Sequence, residues 1–106
     1  MQDPTAEHHR DRIGLHRDES NGCYSFDLDG EVVAVATFHE LGKDITVLTH
    51  SEVLGSRRGQ GIGALLVGAV LDDLRRRHQQ VIPQCWYVAQ FIDENPDYLD
   101  LIAVES

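Results

Sequence analysis

A turn with three alternating glycines has the residue types that most clearly predict a ligand site. It reads Arg57-Arg58-Gly59-Gln60-Gly61-Ile62-Gly63. Glycine tolerates positive φ and leaves the backbone bare, so successive N–H groups of such a turn can face one anion. A helix that begins at the turn adds unpaired N–H groups and a partial positive charge. With the forked donors of Arg57 and Arg58 at the rim, the turn predicts a phosphate-binding site.

Two familiar phosphate motifs fit this turn poorly. A Walker loop needs Gly-Lys-Ser or Gly-Lys-Thr, and the only lysine of the chain, Lys43, lies well upstream. A dinucleotide fingerprint can be read as Gly59-x-Gly61-x-x-Ala64, but it expects an acid about 20 positions later, where this sequence has Val81-Ile82-Pro83-Gln84. A glycine-rich loop that only joins a strand to a helix remains the plain alternative.

The size and charge of the chain limit its architecture and partners. It has 106 residues, of which 42% are hydrophobic, so one small domain with a single core is expected. Residues 1–12 are predicted to be a disordered tail and residues 13–106 to be the domain. The net charge of −9 argues against nucleic acid and anionic membranes as partners. Residues 56–78 nevertheless hold five arginines against two acids, which suits an anionic cofactor.

The cysteines and the apolar stretches favour an intracellular protein. Cys23 and Cys85 are too few for a disulfide framework, and no Cys/His cluster has metal-ligand spacing, so we predict free thiols and no metal. The longest apolar stretch, residues 62–71, is much shorter than the about 20 residues that cross a bilayer. We expect a soluble cytoplasmic monomer.

Three strands are predicted before the glycine turn. Residues 23–28 and 31–39 flank Asp29-Gly30, a strong hairpin signal because both turn residues tolerate positive φ. Residues 45–53 form the third strand, which is rich in β-branched residues. Alternation along it predicts that Leu48, His50 and Glu52 share one face.

Helices dominate after the turn. A wide apolar stripe predicts a helix at residues 64–78, with Arg75, Arg76 and Arg77 complementing the dipole of its last turn. A short strand at residues 81–83 and a second helix at residues 84–92 follow. The alternation at residues 97–104 fits either a last helical turn or an edge strand.

The order β, β, β, glycine turn, α, β, α is that of the cofactor-binding half of the GNAT fold. Arg58-x-x-Gly61-x-Gly63 resembles the signature Gln/Arg-x-x-Gly-x-Gly/Ala, whose backbone holds the pyrophosphate of coenzyme A in the GNAT superfamily of N-acetyltransferases. The resemblance implies a minimal GNAT fold of the α/β (α+β) class. Such a fold has a mostly antiparallel central sheet, one long helix after the pyrophosphate loop and a short C-terminal helix.

Four segments resemble a short, single-domain, NATD-type group within that superfamily. They are Thr49-His50-Ser51-Glu52-Val53, the turn at residues 58–63, Ile82-Pro83-Gln84-Cys85 and Asn95-Pro96-Asp97-Tyr98. The group's pattern has threonine at position 51, histidine at 95 and glutamate at 97, so the departures are mild. Larger members place helices between their first two strands to build an acceptor site. Two residues join the first two strands predicted here, so the identity of the acceptor is not carried over.

The resemblance implies acetyl-CoA as donor and a small amine, or a protein or peptide amine, as acceptor. An ammonium group must lose a proton before its nitrogen attacks the thioester, and histidine is the usual base near neutral pH. We therefore interpret His50 and Cys85 as candidate catalytic residues and Glu52 as a supporting acid. In the GNAT layout, the strands bearing His50 and Cys85 splay apart where the acetyl group sits, so these two side chains are expected to meet. The expected coenzyme A contacts are Val53, Arg57, Arg58, Gly59, Gln60, Gly61, Ile62 and Gly63.

Two alternatives stay open. The chain is either an acetyltransferase or a non-catalytic module that binds coenzyme A or acyl-CoA. If it is an enzyme, Cys85 either accepts the acetyl group from the donor or protonates the departing thiolate while the amine attacks directly. A helix N-terminus at Cys85 would favour either role by lowering the pKa of the thiol.

Overall fold

One five-stranded sheet, in the order β1-β2-β3-β4-β5, organises the computed structural model, which describes residues 13–55 and 59–103. The first three pairings are antiparallel and the pairing of β4 with β5 is parallel. The mostly antiparallel sheet expected from the sequence is thus confirmed. The elements are β1 (Ile13–Asp18), β2 (Cys23–Leu28), β3 (Glu31–Leu41), β4 (Ile45–Val53), α1 (Ile62–Arg76), β5 (Gln80–Pro83), α2 (Trp86–Glu94) and a 3₁₀ helix (Pro96–Leu101).

The hairpin between β2 and β3 turns at the two residues predicted from the sequence. Asp29 and Gly30 have φ values of 52° and 86°, the left-handed conformation that a two-residue hairpin requires. The third predicted strand, residues 45–53, coincides with β4. The predicted strand at 31–39 extends two residues further, to Leu41.

Strand β1 was missed from the sequence. It pairs with β2 in register from Ile13↔Leu28 to Asp18↔Cys23. Hydrophobic alternation did not indicate this strand, because one of its inward side chains is the charged Arg17, which is only 8% exposed. The guanidinium of Arg17 donates to the Tyr24 hydroxyl at 2.6 Å and lies 4.4 Å from the ring centre of Phe38. These contacts are tertiary, so hydrophobic alternation could not indicate them.

The two α-helices pack against each other over the sheet. Helix α1 runs from 62 to 76 rather than from 64 to 78, and α2 from 86 to 94 rather than from 84 to 92. A Cβ atom added at Gly63 would lie 2.9 Å from the Tyr87 hydroxyl oxygen, and one added at Gly68 would lie 3.6 Å from Cζ of Phe91. Both glycines of α1 therefore face aromatic rings of α2, and the lack of a side chain at Gly63 permits the closer approach.

The segment after α2 combines the two structures that the sequence left open. Residues Pro96–Leu101 form a 3₁₀ helix. Ile102 then forms a parallel bridge with Val81, and the Ala103 N–H donates to the Val81 carbonyl at 2.9 Å. The last described residues therefore lie along the outer edge of β5.

Strand β4 has an irregularity and then parts from β5. The pairing with β3 shifts between Thr37 and Phe38, so that Thr37 pairs with His50 while Phe38 pairs with Leu48. The shift corrects the expectation that Leu48 and His50 share a face, because Leu48 is buried whereas His50 is exposed. Pairing with β5 covers only Ile45 to Leu48 of β4, which continues alone to Val53. A gap therefore opens beside the second half of β4.

Candidate active site

A cleft of about 540 Å³ lies between β4 and the N-termini of the two helices. This volume lies within the range typical of small-molecule sites. Its lining comes from three segments: Thr49, His50, Ser51, Glu52 and Val53 of β4; Gly59, Gly61, Ile62, Gly63 and Leu66 of the turn and α1; and Gln84, Cys85, Trp86 and Tyr87 at the start of α2.

The glycine turn leaves the start of α1 open. Gly59 and Gly61 have φ values of 81° and 76°, and a Cβ atom on either would meet nothing within 4 Å. Their requirement for glycine is therefore conformational, and the space beside them is free. Gly61 immediately precedes the helix, whose first turn has no acidic side chain. The N–H groups of this turn are thus available to an anion.

Three of the expected coenzyme A contacts are not among the described residues that line the cleft. Arg57 and Arg58 lie outside the described residues, as does the predicted tail at 1–12. Gln60 is exposed, but it does not line the cleft. Val53, Gly59, Gly61, Ile62 and Gly63 do line it.

Cys85 lies at the point where β4 and β5 separate. It is the residue that precedes α2, it is 8% exposed, and its N–H donates to the Leu48 carbonyl at 3.0 Å. Its Sγ atom lies 3.4 Å from Oγ of Ser51, at hydrogen-bond distance for sulfur. Burial raises the pKa of the Cys85 thiol, but hydrogen bonds from Ser51 and from the N–H groups of Val88 and Tyr87 outweigh it. The net pKa lies below the ordinary cysteine value.

His50 contacts Glu52 rather than Cys85. Nε2 of His50 lies 3.6 Å from Oε1 of Glu52, and the two side chains are 61% and 49% exposed. Ser51 points to the opposite side of β4, where it contacts Cys85. The structure therefore brings His50 and Cys85 to one cleft, but the side chain that contacts the thiol is that of Ser51.

The comparisons with known proteins decide the family. The family model of the GCN5-related N-acetyl-transferases matches residues 23–101. The chain belongs to this family. Protein NATD1 from Bos taurus is 36% identical over 76 residues, which cover 72% of this chain. The same segment spans 61% of the bovine protein's length. Protein NATD1 from Danio rerio is 31% identical over 94 residues, covering 86% of both chains.

Solved structures show that the GNAT fold extends over most of the chain. The solution structure of a GCN5-like protein from Staphylococcus aureus has a TM-score of 0.66 and 18% identity, covering 91% of this chain and 93% of that one. Rv2747 from Mycobacterium tuberculosis, solved in complex with CoA, has a TM-score of 0.53 and 20% identity. That match covers 86% of this chain and 60% of Rv2747.

The arginines at the far end of α1 serve the GNAT fold rather than the cleft. Arg75 donates to the Asp100 carboxylate at 2.9 Å and to the Asp97 carbonyl at 2.9 Å, which ties α1 to the 3₁₀ helix. Arg77 donates to Asp73 at 2.7 Å. Their structural interpretation from the sequence agrees with these contacts.

Sequence reasoning missed six lining residues of this GNAT cleft, namely Thr49, Ser51, Leu66, Gln84, Trp86 and Tyr87. Ser51 belongs to one of the four segments that resemble the NATD-type group, but its contact with Cys85 depends on how β4 faces α2. Tyr87 and Trp86 were counted only as helical residues, although both line the cleft. The sequence feature that could have indicated Trp86 and Tyr87 is this pair of adjacent aromatic residues near the start of the helix predicted at residues 84–92.

Across residues 13–55 and 59–103, no helix is both long and apolar enough to cross a membrane. Over the same ranges, no group of three or more His, Cys, Asp or Glu side chains is arranged to hold a metal ion.

Proposed function

We propose that this chain is an acetyl-CoA-dependent N-acetyltransferase that acts on an amine acceptor. One observation carries the proposal: a single cleft joins the open N-terminus of α1 to the Cys85 thiol. An anion-binding helix start and a reactive group in one cavity suit a substrate that has a phosphate end and a thioester end. Membership of the N-acetyltransferase family supports the same donor.

The described residues fit coenzyme A as the donor. The free space beside Gly59 and Gly61 leaves room for a pyrophosphate against the backbone, and the first-turn N–H groups of α1 supply donors. Arg57 and Arg58 are proposed to add charge at this end. Apolar side chains between the two ends, including Ile62 and Leu66, would pack against the linking arm. When bound, acetyl-CoA supplies the activated acetyl group.

His50 is proposed as the base that removes the proton from the acceptor ammonium. It lines the cleft and its side chain is 61% exposed, so an acceptor can reach it, and Glu52 can orient its ring and stabilise the imidazolium that forms. The nitrogen lone pair then forms the new bond to the acetyl carbonyl carbon as the carbon–sulfur bond breaks, and the nitrogen releases its second proton to solvent.

Cys85 is proposed to complete the transfer in one of two ways. In direct attack, the Cys85 thiol gives its proton to the departing sulfur and regains one from solvent. In the covalent route, the Cys85 thiolate attacks the acetyl carbonyl carbon and displaces the coenzyme A thiolate, which takes a proton from solvent, and the amine then displaces the Cys85 thiolate. The lowered pKa of Cys85 suits the thiolate of the covalent route. Direct attack needs the protonated thiol, which Ser51 can hold through the same hydrogen bond.

Acetyl transfer to a panel of amines tests the proposal. We expect time-dependent release of free coenzyme A thiol in the presence of an accepted amine, and a fall of about 100-fold in His50→Gln. Intact mass measured with acetyl-CoA alone separates the routes, because only the covalent route adds one acetyl group to the parent and none to Cys85→Ala.

A non-catalytic coenzyme A module is the second candidate. The observation that favours it is the brevity of the first connections: β1 and β2 are joined by residues 19–22, and β2 and β3 by two residues. No helix lies between these strands to form an acceptor wall. If the protein binds coenzyme A but no amine of the panel causes release of free coenzyme A thiol from acetyl-CoA, the result would favour the module and contradict the proposed acetyltransferase.

A further inference from the structure

We propose that Trp86 stacks on the adenine ring of the donor, so that the cleft selects coenzyme A over the same thioester on a bare phosphopantetheine arm. The two kinds of donor share the thiol end and differ in the nucleotide. This inference rests on the proposed acetyltransferase function, which it deepens by naming a residue that determines donor specificity.

Trp86 presents an aromatic surface that the fold does not bury. It is 72% exposed, the highest value among the large hydrophobic side chains in the described ranges, and it lines the cleft. The other two aromatic residues of α2, Tyr87 and Phe91, lie close to α1 at Gly63 and Gly68. The indole ring therefore leaves most of its surface to a ligand of the cleft.

Tyr87 places the indole ring beside the start of α1. A Cβ atom at Gly63, the second residue of α1, would lie 2.9 Å from the Tyr87 hydroxyl oxygen. Trp86 packs edge to face with this same tyrosine, with ring centres 5.8 Å apart and an angle of 87° between the planes. One side chain therefore separates the indole from the helix start that is proposed to bind the pyrophosphate.

The two helix starts that border this part of the cleft carry no negative charge. Neither α1 nor α2 has an acidic side chain in its first turn. Among the described lining residues, the one carboxylate is that of Glu52, which lies on β4. The phosphates of a nucleotide can therefore approach this wall of the cleft without meeting a carboxylate on it.

The covalent order of coenzyme A limits what Trp86 can contact. Its pyrophosphate lies between the pantetheine arm, which carries the thioester, and the ribose, which carries adenine. In the proposed site the arm runs inward from the start of α1 to Cys85, which is 8% exposed, so the base must leave the pyrophosphate toward the rim. An exposed indole beside that point offers a flat surface for a purine, and stacking of this kind needs no hydrogen bond to the base.

Coenzyme A and 4′-phosphopantetheine, which lacks the nucleotide, test the inference on the full chain. Trp86 is the only tryptophan, so the emission of the protein reports on its surroundings. We expect coenzyme A to change this emission saturably, and 4′-phosphopantetheine to bind in calorimetry without that change. Trp86→Leu should weaken coenzyme A binding about tenfold, as loss of a base–aromatic stack does, and leave the affinity for 4′-phosphopantetheine unchanged.

Two further variants act as controls. Trp86→Phe retains an aromatic face and should keep most of the affinity for coenzyme A. Leu99→Ala removes a half-exposed apolar side chain that does not line the cleft, and it should alter neither affinity.

The possible outcomes separate this inference from the proposed function. An equal loss for both ligands in Trp86→Leu would overturn the inference, because it would place the indole on the arm that they share, and no loss for either would overturn it as well. Both results leave the acetyltransferase standing. Coenzyme A binding without thiol release from acetyl-CoA would contradict the enzyme and leave the stacking intact. Failure of both ligands to bind to the parent would contradict the donor site, and both proposals with it.

Discussion

Oγ of Ser51 and Sγ of Cys85 lie 3.4 Å apart, joining β4 to the first residue before α2 across the apex of the cleft. The contact links the two elements whose separation creates the cleft. It also places the Ser51 hydroxyl within hydrogen-bond distance of the buried Cys85 thiol. The reactivity of Cys85 should therefore depend on a neighbour from a different strand as well as on its own helix.

Removing this hydroxyl should make Cys85 less reactive. Ser51→Ala deletes a hydrogen bond that lowers the thiol pKa, so the pKa should rise and the thiolate fraction near neutral pH should fall. We expect alkylation of Cys85 by iodoacetamide at pH 7.5 to slow severalfold, with the pH profile shifted to higher pH. Cys23 serves as the internal control, since it lies on β2. An unchanged Cys85 profile would show that the helix N–H groups alone set the pKa.

A β-branched residue at Gly61 should abolish the binding of coenzyme A. Gly61→Val forces a positive φ on valine, costs about 1–2 kcal/mol of stability, and fills the space beside the start of α1. Gly42→Val is a matched control, because Gly42 has a φ of 72° and open space around it but lies in the turn between β3 and β4. Both variants should melt at a lower temperature than the parent. Only Gly61→Val should lose the rise in melting temperature caused by coenzyme A, and retention of the full rise would contradict the assigned anion site.

The two glycines inside α1 should respond to alanine in different ways. Alanine is favoured over glycine in a helix by about 1 kcal/mol, so Gly68→Ala, which makes an ordinary contact at 3.6 Å, should stabilise the protein. Gly63→Ala places its Cβ atom 2.9 Å from the Tyr87 hydroxyl and must displace that ring, so it should gain less or destabilise. Urea unfolding measures both changes.

Removal of the Tyr87 ring is the control for this comparison. If the contact causes the difference, Gly63→Ala in a Tyr87→Ala background should regain a stabilisation similar to that of Gly68→Ala. If Gly63→Ala changes the free energy of unfolding by the same amount in the Tyr87→Ala background as in the parent, then the backbone, and not Tyr87, disfavours alanine at this position.

Asp73 should make stability depend on pH in the acid range. Burial opposes ionisation of this carboxyl, but hydrogen bonds from Arg77 and Tyr24 outweigh it and lower its pKa below the ordinary value of 3.8. A group whose pKa is lower in the folded state stabilises the fold above its ordinary pKa and loses that effect as the pH falls through the folded value. Asp73→Asn should thus lower the free energy of unfolding by about 1–2 kcal/mol at pH 6 and by less at pH 3. A loss in Asp73→Asn that stays constant between pH 6 and pH 3 would contradict the linkage.

Local patterns predicted most of the fold, and tertiary contacts explain the remainder. The Asp29-Gly30 hairpin and the strand at residues 45–53 follow from turn chemistry and β-branched content, which act over a few residues. Strand β1 is stabilised by Arg17, which contacts its cross-strand partner Tyr24 and also Phe38 of β3. In the candidate site, too, sequence patterns indicated the local motifs but not the contacts between elements. The glycine turn and Cys85 were visible as motifs, whereas the Ser51 contact requires knowing how β4 faces α2.

The sequential order of the strands has a consequence for folding kinetics. Strands β1 to β4 each pair with their neighbour in the chain through a short turn, whereas β5 reaches β4 only after α1 has crossed over. Non-local pairings of this kind carry the larger loop-closure entropy and tend to form late. The cleft lies at this pairing, so we expect it to be completed after the four-stranded meander. A ligand of the cleft should then act mainly by slowing unfolding, and leave the refolding rate nearly unchanged.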